Sequence, residues 1–396
     1  MSIVSDASDL ERLRTAESHF MAGRFAEAGR EFALLAEDAP EDRRVLLRLG
    51  QIALFEQRLD AAIRWLRAAE AAGAAAAPLL AEAYYRARRF AEAAECYARL
   101  GQHEVARHLQ GFGEREPCAI VSSAPECTLE FLSREPLPRV RVRIDGAEEA
   151  LFVFDTGSWD TVLDAKLARR IGLARGWTGQ VIGATGAPAQ VEYCRLPGLS
   201  LGGLDVADVP VQVMDLDAAL PGFFEPHGVD GVLGLGVLSR FGMVLDMPAG
   251  ELRLSRRAPV LGAEAIDCWL GNGRQLLAWG SIGAQSCLWF IDTGMTGFDC
   301  LLPVTTATAA RLGSGLGAPV VGYGGGGQAA FATAESESMS LGGLRKSPAQ
   351  CVIAPAFPLE RCYGFRIGGL LALEFLKRAI LSIDFTAMRL DVRPGS

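Results

Sequence analysis

The sequence predicts a multidomain chain: an all-α segment of repeated helical hairpins, then an all-β segment built from two copies of one unit. Three observations carry this reading. One phrase recurs three times before residue 112. Near residue 113 the texture changes, from Ala, Leu, Arg and Glu at helical spacing to short alternating strands punctuated by glycine. Four segments of residues 127–257 then return in the same order within 258–396.

The helical part comes first. Residues 9–111 are nearly free of proline and of β-branched runs. The recurring phrase is GRFAEAGREF from Gly23, QRLDAAIRWL from Gln57 and RRFAEAAECY from Arg88. Its arginines, Arg24, Arg58 and Arg89, stand 34 and 31 residues apart. A period near 34 built of paired helices is the mark of helical-hairpin arrays. The segment resembles tetratricopeptide repeats, with the phrase opening the second helix of each hairpin. The resemblance implies a domain over 1–112 that binds a peptide or protein partner, or serves a structural role. GEREPCAIVSSAPE, residues 113–126, is charged, small and proline-bearing, and is expected to be a linker.

Strands such as RVRVRID and CRLPGLSL mark the β part. Its duplication is explicit. Asp155 maps to Asp292 and Gly146 to Gly283, both 137 residues on; LSLGGL from Leu199 maps to MSLGGL from Met339 at 140; GVLGLGVLSRFGMVLD from Gly231 maps to GLLALEFLKRAILSID from Gly369 at 138. Four matches at nearly one offset predict two facing copies, 127–257 and 258–396. Within each copy an apolar strand runs into Asp-Thr-Gly: LFVFDTGSWD from Leu151 and LWFIDTGMTG from Leu288. An acid at the end of a core strand is costly unless something there needs it.

The paired Asp-Thr-Gly motifs resemble those of the aspartic proteases. Each copy looks like one retropepsin lobe, and the fused pair like the two-lobed plan of pepsin. The resemblance implies an all-β bilobal fold and an aspartic endopeptidase, with Asp155 and Asp292 as the catalytic pair. Two carboxylates brought together cannot both ionise; one takes a proton from water while the other donates to the peptide carbonyl. Gly157 and Gly294 are expected to allow a tight turn and aim an N–H at the acid. Thr156 and Thr293 are implied to hydrogen-bond across the lobe junction, and Ser158 to bond the outer oxygen of Asp155. Two flaps over a peptide bound as a strand are expected: Gly183, Ala184, Thr185 and Gly186 in the first, Tyr323, Gly324 and Gly325 in the second.

Two residues depart from the pattern. Met295 lacks the hydroxyl of Ser158, which would leave Asp292 the more often protonated acid. Ala372 stands where Gly234 closes an apolar-apolar-Gly turn, and is expected to distort the second lobe modestly. Both departures favour an alternative, a catalytically inactive retropepsin-fold scaffold. Two other matches are decoys. GLSLG (198–202) fits a nucleophile elbow but lies on a strand pattern, and GYGGGG (322–327) fits a dinucleotide loop but opens no helix.

Net charge is −8, which argues against a nucleic-acid or anionic-membrane partner. Residues 1–13 lack a secretory pattern, no apolar run is long enough to span a bilayer, and the nine cysteines show no paired spacing, so cytoplasmic, reduced thiols are expected. His103 and His108, five apart, do not share a helix face, and no metal or cofactor is expected. Both acids lie in one chain, so a monomer would suffice for cleavage of a peptide or protein substrate.

Overall fold

The computed structural model describes residues 7–182, 188–225, 228–312, 317–324, 327–354 and 364–395. They form two compact units. The first holds the described residues up to 114 together with 269–273 and 364–367; the second holds the rest from 115 onward.

The helical unit contains α1 (Ala7–Met21), α2 (Phe25–Asp38), α3 (Arg43–Phe55), α4 (Leu59–Ala71), α5 (Ala77–Arg86), α6 (Phe90–Arg99) and α7 (His103–Gln110). Consecutive helices pack in order, as three hairpins and a closing helix. The recurring phrase opens α2, α4 and α6, with Arg24, Arg58 and Arg89 in one N-cap conformation. The preceding residue is left-handed each time: Gly23 (φ 75°), Gln57 (φ 55°) and Arg88 (φ 58°). The turn then closes twice onto the previous helix, for example Gln57 N–H to Leu54 O and Arg58 N–H to Ala53 O. This satisfies carbonyls that a helix end leaves open. Among the described residues no helix is long and apolar enough to cross a membrane.

The β unit repeats one set of pairings. In the first half the Glu148–Asp155 strand lies between Arg139–Ile144, antiparallel, and Gly231–Gly234, parallel. In the second half Gln285–Asp292 lies between Leu276–Ile282, antiparallel, and Gly369–Ala372, parallel. The parallel partner places Gly234 beside Asp155 and Ala372 beside Asp292. Both acid-bearing strands are thus central, which explains their unbroken apolar runs; Phe152, Phe154, Trp289 and Ile291 are all buried. Strands of both halves share one 15-stranded sheet, in which Gly242–Asp246 pairs antiparallel with Ala379–Asp384.

Two boundaries differ from the sequence expectation. The segment expected to be a linker contributes a strand, Ala119–Ile120, paired with Leu204–Met214. Its apolar residues cover an edge that would otherwise stand unpaired. Within the second half, 269–273 and 364–367 belong to the helical unit.

The decoy motifs resolve as sheet. Ser200 lies within the Pro188–Leu201 strand opposite Asp205, and Gly322 within Gly317–Gly324 opposite Ala329. Eight cysteines among the described residues are buried and free. Cys300 and Cys351 face each other on paired strands at 3.4 Å.

Candidate active site

Each half ends its central strand at the same place, and the two ends meet. Thr156 and Thr293 are fully buried and bolt the loops together. Thr156 N–H donates to Thr293 Oγ1 (2.9 Å), and Thr293 N–H donates to Thr156 Oγ1 (3.1 Å). The hydroxyls donate onward across the junction, Thr156 to Ile291 O (2.8 Å) and Thr293 to Phe154 O (3.4 Å). Four reciprocal bonds leave little freedom in the spacing of the next residues.

The acids take up that spacing. Asp155 Oδ1 accepts from Gly157 N–H (2.7 Å), and Asp292 Oδ1 accepts from Gly294 N–H (2.9 Å). The two carboxyls lie close enough for each to act on the other's proton. A β-carbon on Gly157 would lie 2.5 Å from Asp292 Cγ, and one on Gly294 would lie 2.5 Å from Asp155 Cγ. The glycines are therefore required by the opposite acid. Neither has a positive φ, so the tight-turn reason given by the sequence is not what fixes them.

Burial pushes both carboxyls above the ordinary carboxylate range, and for Asp292 the adjacent Asp155 charge adds to it. Backbone N–H groups oppose the shift. A proton bridging two such groups belongs to the pair rather than to one residue.

Ser158 does not play its expected part. Its hydroxyl donates to Asp160 O (2.9 Å), and its backbone N–H donates to the Asp155 backbone carbonyl (3.4 Å). Met295 N–H donates in the same way to the Asp292 backbone carbonyl (3.4 Å). In both halves the residue after the glycine thus makes the same backbone bond, and the one hydroxyl present is engaged with Asp160 rather than with the acid. Ala372 also fits without distortion: its backbone (φ −93°, ψ 165°) nearly matches Gly234 (φ −91°, ψ 172°). Glycine is needed in the first half because a β-carbon on Gly234 would stand 2.4 Å from Trp159 O.

Of the residues expected in the flaps, Gly183, Ala184, Thr185, Gly186 and Gly325 lie outside the described residues. Their hairpin stems are described. Trp177–Ile182 pairs with Pro188–Leu201 up to Ile182 opposite Pro188. In the second hairpin Tyr323 lies opposite Gln328 and Gly324 opposite Gly327.

Two ion-pair systems beside the loops escaped the sequence reading. Asp160, five residues after Asp155, accepts from Gln212 Nε2 (2.6 Å) and pairs with Arg274 of the second half (3.9 Å), whose guanidinium lies over Trp159. Lys377 pairs with Glu374 (2.9 Å) and with Glu135 of the first half (3.0 Å), while Glu374 also accepts from Thr296 and Gly297 of the Asp292 loop. Such long-range charge pairs leave no periodic trace in a sequence.

The site is thus a paired-carboxyl centre, with two acids brought together from equivalent loops. Residues 140–237, about a quarter of the chain, match a family model described as aspartyl protease. Among solved structures the chain is similar to a retropepsin-like aspartic protease from Rickettsia conorii. The likeness is 17% identity over 36% of this chain and 98% of that one, with a TM-score of 0.26. No curated protein matches the chain.

Proposed function

We propose that the chain is an aspartic endopeptidase whose β region, 127–257 and 258–396, forms two retropepsin-like lobes. The observation that carries this reading is the juxtaposition of Asp155 and Asp292, each acid against the opposite glycine and both held by the Thr156–Thr293 bonds. The family match over 140–237, which includes Asp155, supports it.

The chemistry follows from the shared proton. The ionised carboxyl takes a proton from a water, whose oxygen attacks the scissile carbonyl carbon, while the protonated carboxyl donates to the carbonyl oxygen. A tetrahedral diol forms. The carboxyl that took up the water proton then gives it to the amide nitrogen, the C–N bond breaks, and the other carboxyl recovers its proton from the collapsing diol. Acid and amine leave, and the pair again holds one proton. The Thr156–Thr293 bonds keep the acids at that spacing throughout. The two hairpins ending near Ile182 and Gly324 are the flaps that cover a peptide lying as an added strand. Both acids come from one chain, so one copy suffices.

Recruitment of substrate or partner by the tetratricopeptide-like unit falls to its groove of about 550 Å³, lined by Ala26, Gly29, Ala33, Ile52, Arg58 and Trp65 among others. The test is cleavage of a diverse peptide pool by the full chain across pH 3–8. Asp155→Asn and Asp292→Asn should each lower kcat/KM by at least ~10²-fold, and a statine-type inhibitor should block the wild type. Undiminished cleavage in either variant would overturn the reading.

A further inference from the structure

In the first half, one arginine organises the approach to the acid. Arg139 lies opposite Val153, two residues before Asp155. Its buried guanidinium donates to Ser133 Oγ (2.7 Å), Glu135 O (3.1 Å) and Gly228 O (3.2 Å). Those groups belong to the segments that lead into Arg139–Ile144 and Gly231–Gly234, the two strands flanking Asp155. The register-equivalent residue of the second half is Leu277, opposite Phe290, two residues before Asp292. Leucine caps no carbonyl. The lead-ins on the Asp292 side must be fixed by something else.

Both run through the helical unit. The segment 269–273 leads into Leu276–Ile282, and 364–367 leads into Gly369–Ala372; these are the two flanking strands of Asp292. Arg86 of α5, its side chain fully buried, is aligned by Glu82 (2.6 Å) and donates to Leu270 O (2.9 Å) and Gly271 O. Gln51 of α3, itself held by Arg48, donates to Asn272 Oδ1 (3.1 Å). Phe365 sits edge-on among Phe20 (6.2 Å), Phe25 (4.9 Å) and Phe55 (5.6 Å), Trp269 packs on Phe25 (5.6 Å), and Arg366 N–H donates to Met21 O (2.9 Å). From Ile367 the connection to the site is short. Gly368 N–H bonds Leu288 O, Ala372 N–H bonds Asp299 O and Leu373 N–H bonds Met295 O, each at 2.9 Å, so the lead-in ends on the loop that carries Asp292.

We infer that the helical unit is a positioning clamp for the Asp292 side of the site. Arg86, Gln51 and the Phe20–Phe25–Phe55 pocket do for the second half what Arg139 does for the first. The Phe20–Phe25–Phe55 pocket and the Arg86 and Gln51 contacts are accordingly occupied by the chain itself. Arg86 and Phe365 are positioning residues: they act through the strands that flank Asp292. The effect on catalysis rests on the peptidase reading, whereas the clamp itself does not.

The test is amide hydrogen exchange on the full chain, wild type against Phe365→Ala and Arg86→Lys. The expected result is at least ~10-fold faster exchange at 277–282 and 369–373 in each variant, with 140–144, 231–234 and α4 unchanged. Unchanged exchange at 277–282 and 369–373, or a uniform rise across both halves, would overturn the clamp. If Phe365→Ala does not fold, Gln51→Ala joins Arg86→Lys under the same criterion. On a cleavable peptide the variants should lower kcat more than they change KM. A wild type without cleavage would count against the peptidase reading and leave the exchange result standing.

Discussion

The two halves of the β unit match at the carboxyls and differ in what holds them there. At the centre, each acid accepts from the glycine two residues on, each threonine bonds the other, and each glycine faces the opposite acid. One shell further out the match ends: Arg139 stabilises the first half from within, while the second has Leu277 and lead-ins held by α1, α2, α3 and α5. The geometry that chemistry needs tolerates no drift, whereas the support beneath it needs only to be stiff. Two unlike supports can therefore hold one like pair.

The largest effect that probes this comparison is expected at the shared glycines. Gly157→Ala and Gly294→Ala each drive a β-carbon into the opposite carboxyl, and each should cost on the order of 10²-fold in kcat/KM, since small misplacements are expensive. A large loss in only one variant would break the central match. Next come the threonines. Thr156→Val leaves the buried N–H of Thr293 without its acceptor, and Thr293→Val does the converse. Each should destabilise the β unit by about 2 kcal/mol in denaturant titration, and unequal values would show that the grip is lopsided.

A smaller, one-sided effect is expected at Asp230, whose carboxylate accepts from Leu151 N–H (2.9 Å) and which precedes Gly231–Gly234. Asp230→Asn should cost about 1 kcal/mol and speed exchange at 231–234 while sparing 369–372, the mirror of the Phe365 result. The smallest effect is expected at Met295. Because the Ser158 hydroxyl bonds Asp160 O and not Asp155, Met295→Ser should leave the pH–rate profile unchanged; a displaced limb would restore a role for the hydroxyl.

Much of this was legible in the sequence because it is written in short, local patterns. The phrase repeating at Arg24, Arg58 and Arg89 marked three helix starts, and the strands ending at Asp155 and Asp292 marked equivalent loops. What could not be read was set by partners distant in the chain. Phe365 and Trp269 look like any core aromatics, and only folding shows that they pack with helices rather than with their own half. Gly157 was read for its local turn, but its constraint comes from an acid 135 residues away (Asp292). The Ser158 hydroxyl bonds the nearby carbonyl of Asp160 instead of Asp155. Local hydrogen bonds of this kind compete well because they order few additional groups.

The most direct test of the central claim is carbon-13 NMR titration of the Asp155 and Asp292 carboxyls in the full chain. A group whose folded pKa is raised binds its proton more tightly folded than unfolded. Its stabilising contribution is complete below the ordinary value of 3.8 and is lost as pH rises through the folded value. The account predicts two well-separated steps reported by both carboxyls, collapsing to a single step at Asp155 in Asp292→Asn, with that variant gaining stability over wild type as pH rises above 3.8. Two independent titrations near 3.8, unaltered at Asp155 by loss of the other acid, would contradict it.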